Sequence, residues 1–126
     1  MQIETYSGKY DEEIISLILS IQNNEAKIGL SLAEQPDLLN IRQYYQQSGG
    51  EFWIALSDGN VIGTIGLMLK EQNCAVMKKF FVKKKYRSQK VGLALYQELL
   101  KYAEAAELPV AYSFPDRDSI LYMLDL

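Results

Sequence analysis

The chain has 126 residues, 48% hydrophobic and 23% charged, with a formal net charge of −3. This length fits one domain over 1–126 that buries about two-thirds of its unfolded surface, and the composition argues against bulk disorder. With no histidine and a single cysteine, Cys74, the chain offers no imidazole base, serine–histidine triad, internal disulfide or cysteine-rich zinc site. No metal is expected. The opening MQIETYSGKY lacks the apolar centre of a signal peptide, and no apolar run reaches the length of a membrane span. These features predict a soluble, cytoplasmic protein without a membrane partner. Charge is unevenly spread: residues 78–90 carry +7 and the remainder −10. A nucleic-acid binder is normally basic overall, whereas one positive island on an acidic chain fits a local anionic ligand.

In chain order, Gln2–Tyr6 reads as a short edge strand ended by Ser7-Gly8. Asp11 is the expected cap of a helix whose first turn holds Glu12 and Glu13. Ile14, Leu17, Ile18 and Ile21 recur at helical spacing towards an end near Asn23-Asn24. Ser31-x-x-Glu34 reads as a capping box, and Pro36 prevents one long helix from crossing this region. A second helix is expected from Pro36 or Asp37 to about Gln47, burying Leu38, Ile41 and Tyr45 before Ser48-Gly49-Gly50 stops it. Glu51–Ser57, the turn Asp58-Gly59, Val61–Lys70 and Cys74–Val82 then predict a three-strand meander. Gly63 and Gly66 weaken the middle strand and imply close packing or a bend. Cys74, Trp53 and the Tyr44-Tyr45 pair read as packing residues.

The third strand of the meander breaks its own alternation. Lys78-Lys79 and Phe80-Phe81 are like neighbours, whereas a regular strand points neighbours to opposite faces. A bulge there would place one phenylalanine in the core and turn backbone groups outward. A helix is expected from Gln89 to about Glu107, with Val91, Leu95, Leu99, Tyr102 and Ala106 near one face. Pro109 ends it, and Val110–Phe114 would return as a strand parallel to Cys74–Val82 through a right-handed crossover.

The join between strand and helix, Arg87-Ser88-Gln89-Lys90-Val91-Gly92, lies inside the basic island. A helix start carries unpaired N–H groups and partial positive charge, a natural cradle for phosphate. Tyr86–Leu95, YRSQKVGLAL, resembles motif A of the GNAT family of N-acetyltransferases, whose pattern is Arg/Gln-x-x-Gly-x-Gly/Ala. In the gapless register Lys90 stands where the first motif glycine falls and Gly92 fills the second. A second register, Gln89-x-x-Gly92-x-Ala94, satisfies the pattern literally.

The resemblance implies an α/β (α+β) fold with a central mixed sheet flanked by helices, and acetyl-CoA as co-substrate. Phe80, Phe81 and Val82 would pair with its pantetheine, and Arg87, Ser88, Gln89, Lys90, Val91, Gly92, Leu93 and Ala94 would hold its pyrophosphate. It further implies a strand N–H near Val82 for the thioester oxygen and Tyr122 as the acid that protonates the departing thiol. For the base, Glu25, Glu34 and Glu51 remain open candidates. The implied reaction is acetyl transfer to a primary amine on a small molecule or peptide. Only 11 residues follow Phe114-Pro115, so the usual closing β-hairpin is expected to be missing, leaving an open sheet edge that a homodimer would cover. Two alternatives stand beside this reading: a non-catalytic acyl-CoA-binding relative, and a small nucleic-acid-binding module in which KKFFVKKKYR stacks on bases.

Overall fold

The computed structural model describes residues 1–70 and 74–111. In chain order these form β1 (Gln2–Thr5), α1 (Asp11–Ser20), α2 (Pro36–Leu39), β2 (Glu51–Ser57), β3 (Asn60–Leu69), β4 (Ala75–Val82), α3 (Val91–Ala105) and β5 (Val110–Ala111). The sheet order is β1-β2-β3-β4-β5. Neighbours are antiparallel except β5, which runs parallel to β4. The expected mixed sheet is therefore present, and α3 supplies the crossover.

Asp58 and Gly59 build the central hairpin because both adopt positive φ, 51° and 80°, as a two-residue turn of matching twist requires. The sheet is covered on both faces, so β2 and β3 read as continuous buried runs. One face meets α3, whose buried residues Val91, Leu95, Leu99 and Ala103 recur every four positions. Ala106 lies outside this stripe and is exposed. Trp53 meets Tyr102 edge to face, and Phe80 stacks on Tyr96. The opposite face carries Ile14, Ile18, Leu38, Ile41 and Tyr45 from the first half of the chain, all buried. Each full burial of such a side chain contributes about 1.5–3 kcal/mol.

Gly63 and Gly66 show why β3 tolerates glycine. A Cβ on Gly63 would lie 2.9 Å from Leu95 of α3, and one on Gly66 would lie 2.6 Å from the Tyr45 ring. Three residues apart, they admit close packing on opposite faces.

Several local expectations need correction. Asp11 is the first helical residue and not the cap; Tyr10 holds that position with no side-chain bond, while Asp11 accepts the Tyr6 hydroxyl. Burial and this bond push the Tyr6 hydroxyl up to about 12. The α1 ladder does not run cleanly to Asn24 but widens into a π-turn over Ile21–Glu25. The second helix is not continuous: it breaks at Asn40 (φ −152°, ψ 68°) and resumes as a π-turn over Arg42–Gln46. Asn40 caps the second piece by accepting the Gln43 N–H. Cys74 is half-buried, not fully buried. The expected continuation of the last strand to Phe114, the place of Tyr122, and the expected lack of a closing hairpin with its open edge fall on residues outside those described.

Candidate active site

The bulge anticipated in β4 is present. Register passes from Thr64↔Phe81 to Gly66↔Lys78, so β4 holds one extra residue against β3. Lys79 takes φ 54°, a left-handed conformation that costs a non-glycine residue about 1–2 kcal/mol. Two bonds hold it there. The buried Thr64 hydroxyl donates to the Lys79 carbonyl at 2.8 Å, and the Lys79 ammonium lies 3.2 Å from Asp37 Oδ2. The same Asp37 oxygen accepts the Tyr45 hydroxyl at 2.6 Å. Lys79 is 1% exposed, so one member of the basic island belongs to the core. Both phenylalanines are buried as well, because the sheet is covered on both faces; the expectation of a single core phenylalanine is corrected.

Beyond the bulge, the Lys83 N–H bonds to the Ile62 carbonyl. Bonded and non-bonded pairs alternate along an antiparallel ladder, so the next pair, Gly63↔Val82, directs the Val82 peptide groups away from β3. The Val82 carbonyl accepts Arg87 Nε at 2.9 Å on that side. Described pairing between β4 and β5 is confined to Ala75 and Val76. The segment Phe80–Val82 leads directly into the strand-to-helix loop.

That loop turns through Lys84–Tyr86 as one 3₁₀ turn and enters α3 at Val91, two residues later than expected. Ser88 and Lys90 take φ 70° and 63°. The first α3 ladder bond is Ala94 N–H to the Lys90 carbonyl, so the N–H groups of Val91, Gly92 and Leu93 precede the ladder. Left-handed residues that turn successive N–H groups into one concavity, followed by a helix start, can receive an anionic group. Lys90 as the left-handed N-cap occupies a conformation that glycine adopts without penalty, which explains why a glycine suits this motif position.

Arg87 is anchored within the protein. Its two terminal nitrogens bond Glu25 Oε1 and Oε2 at 2.7 Å each, across 62 residues of chain. With the Val82 bond, one guanidinium ties the π-turn after α1 to the end of β4. The three candidate bases are likewise engaged. Glu25 faces Arg87; Glu34 accepts the Ser31 N–H and hydroxyl in the anticipated capping box; Glu51 accepts Gln46 Nε2 and the Phe52 N–H.

A cleft of about 260 Å³ opens beside the bulge between the Leu30–Asp37 segment and the β3–β4 strands. Its walls include Asp37, Lys79 and Tyr44, the last 37% exposed. Its outer wall is pinned by a reciprocal amide pair, Gln22 to Gln35, with both bonds at 2.8 Å and both residues buried. Sequence reasoning missed Asp37, Lys79 and the exposure of Tyr44. A larger groove of about 570 Å³ follows α1 and is lined by Glu12, Glu13, Ser16 and Lys84 among others, but it does not include the bulged residues. Among the described residues, no group of three or more His, Cys, Asp or Glu is placed to hold a metal. No described helix is long and apolar enough to cross a membrane.

A bulged strand running through a basic loop into a helix start is the arrangement expected of an acetyltransferase fold, and comparison with known proteins agrees. The chain matches the acetyltransferase (GNAT) family over residues 18–118. It is 38% identical to an acetyltransferase of the GNAT family from Staphylococcus aureus MU50, with a TM-score of 0.87 over 92% of this chain and 74% of that one. An acetyltransferase from Streptococcus agalactiae 2603 is 32% identical, with a TM-score of 0.86 over 98% of this chain and 78% of that one. Among curated proteins, the N-acetylaspartate synthetase of Homo sapiens is 32% identical over 76 residues, 59% of this chain and 25% of that protein. The chain therefore belongs to the GNAT family of acetyltransferases. It spans about a quarter of the length of the curated relatives it matches.

Proposed function

We propose that this chain, as one acyl-CoA-binding unit, transfers an acetyl group from acetyl-CoA to a primary amine by direct attack. The observation that carries the reading is the left-handed pair Ser88 and Lys90 set immediately before the N–H groups of Val91, Gly92 and Leu93. This arrangement fits a pyrophosphate better than a neutral ligand. The β4 edge at Phe80–Val82 suits the amide-bearing pantetheine arm, whose groups can pair with a strand. In the transfer, the amine nitrogen bonds to the thioester carbonyl carbon while the carbon–sulfur bond breaks. The amine loses one proton and the departing thiolate gains one. The outward Val82 N–H is the proposed donor to the carbonyl oxygen, where charge develops, and Tyr122 the proposed acid. Family membership supports acyl transfer, and the relative named for N-acetylaspartate supports an amine acceptor.

The test is release of CoA thiol from acetyl-CoA across a panel of primary amines. Amine-dependent release, with stoichiometric acetylated product, is expected. Tight acetyl-CoA binding without release for any amine would favour the non-catalytic reading.

A further inference from the structure

The cleft beside the bulge constrains the acceptor, given the donor site proposed above. Its described lining carries three lysines, Lys70, Lys78 and Lys79, against two carboxylates, Glu34 and Asp37. Both carboxylates already accept hydrogen bonds from the protein. Asp37 Oδ2 takes the Tyr45 hydroxyl and faces the Lys79 ammonium, and Glu34 Oε1 takes the Ser31 N–H and hydroxyl. The Lys79–Asp37 pair is mutually neutral, so the rest of the described lining sets Lys70 and Lys78 against Glu34, one positive charge in excess. Lys70, by contrast, is exposed at the rim.

We propose that this cleft binds an amine that also carries a carboxylate, with Lys70 at the rim recognising the carboxylate and the bulged edge of β4 facing the amine. Two physical effects work together. A carboxylate gains a charge-assisted contact with an ammonium. Nearby cations also disfavour the ammonium form of the acceptor, and only the neutral amine has the lone pair that attacks. Tyr44 stands exposed on the same wall, and a cleft of about 260 Å³ suits a small amino acid better than a bulky amine. Lys70 is thus a specificity residue and takes no part in bond making.

The test compares L-aspartate, L-glutamate and β-alanine with spermidine and butylamine as acceptors, using wild-type protein, Lys70→Glu and Lys70→Arg. Acetyl-CoA binding is measured on each by calorimetry. The proposal predicts kcat/KM at least about tenfold higher for the carboxylate-bearing amines. Lys70→Glu should raise their KM about tenfold, with kcat within about twofold and acetyl-CoA affinity unchanged, and Lys70→Arg should restore KM. Preference for spermidine or butylamine, or an unchanged KM in Lys70→Glu, would overturn it. Acetyl-CoA binding without turnover of any carboxylate-bearing amine would also overturn it while leaving the donor site standing. Absence of acetyl-CoA binding would reject the donor site itself, and the acceptor proposal with it.

Discussion

Gly50→Ala is expected to lower stability by about 3 kcal/mol or more, the range of severe overpacking. A Cβ at this position would lie 1.8 Å from the Leu67 carbonyl oxygen and 2.7 Å from its carbon. Both are backbone atoms in a paired strand, so no rotamer change relieves the clash. Gly50 also donates its N–H to the Tyr45 carbonyl, and its own carbonyl accepts the Tyr102 hydroxyl at 3.2 Å. Shifting the backbone would therefore disturb the second π-turn and the α3 face together. Gly59→Ala is the control: no atom lies within 4 Å of a Cβ there, and only its φ of 80° opposes the change. It should cost about 1 kcal/mol. Chemical denaturation of the two variants distinguishes steric exclusion from backbone strain. Equal losses would mean that the β2–β3 packing is looser than described.

Removing the Lys79 ammonium should be comparably damaging. Lys79→Ala leaves Asp37 with its side chain 10% exposed and without the cation 3.2 Å away. Breaking such a buried pair by deleting one partner typically costs 3–5 kcal/mol, here about 10–20 °C in Tm for a chain of this size. The loss should be largely recovered in Lys79→Met combined with Asp37→Asn, because the second change removes the stranded charge. A Lys79→Ala midpoint within a few degrees of wild type would show that the pair does not hold the bulge. The cost also bears on function, since the strand that Lys79 bends presents Val82 to the proposed donor site.

Much of the sheet was legible because its signals are local. Asp58-Gly59 announces the hairpin, and the paired lysines and phenylalanines announce the bulge by violating period-two alternation. The strand-to-helix loop was legible for the same reason: cations, small residues and an amphipathic helix follow one another in sequence. What was hidden depends on partners distant in the chain. Lys79 counted only as one cation of the basic island, and nothing nearby in sequence points to Asp37. Arg87 reads as a ligand contact, and its bidentate bond to Glu25, 62 residues away, could not be foreseen. The interrupted second helix was hidden for another reason. Asn40 is a tolerable helix residue by propensity, yet its side chain caps the following turn and so competes with a continuous ladder. The expectation of one buried phenylalanine assumed a one-sided strand, and two-sided burial is fixed only by where the helices pack.

The donor site is the part on which the rest depends, and calorimetric titration of acetyl-CoA into wild-type protein, Gly92→Val and Lys90→Gly tests it directly. If the Val91–Leu93 N–H groups receive the pyrophosphate, the wild-type protein binds. Gly92→Val, which sets a branched side chain beside those groups, should lose at least about tenfold in affinity while retaining a cooperative thermal transition. Lys90→Gly, which relaxes a left-handed N-cap, should keep affinity within about threefold. Folded wild-type protein that does not bind acetyl-CoA, or a Gly92→Val variant that binds as tightly as wild type, would contradict the assignment.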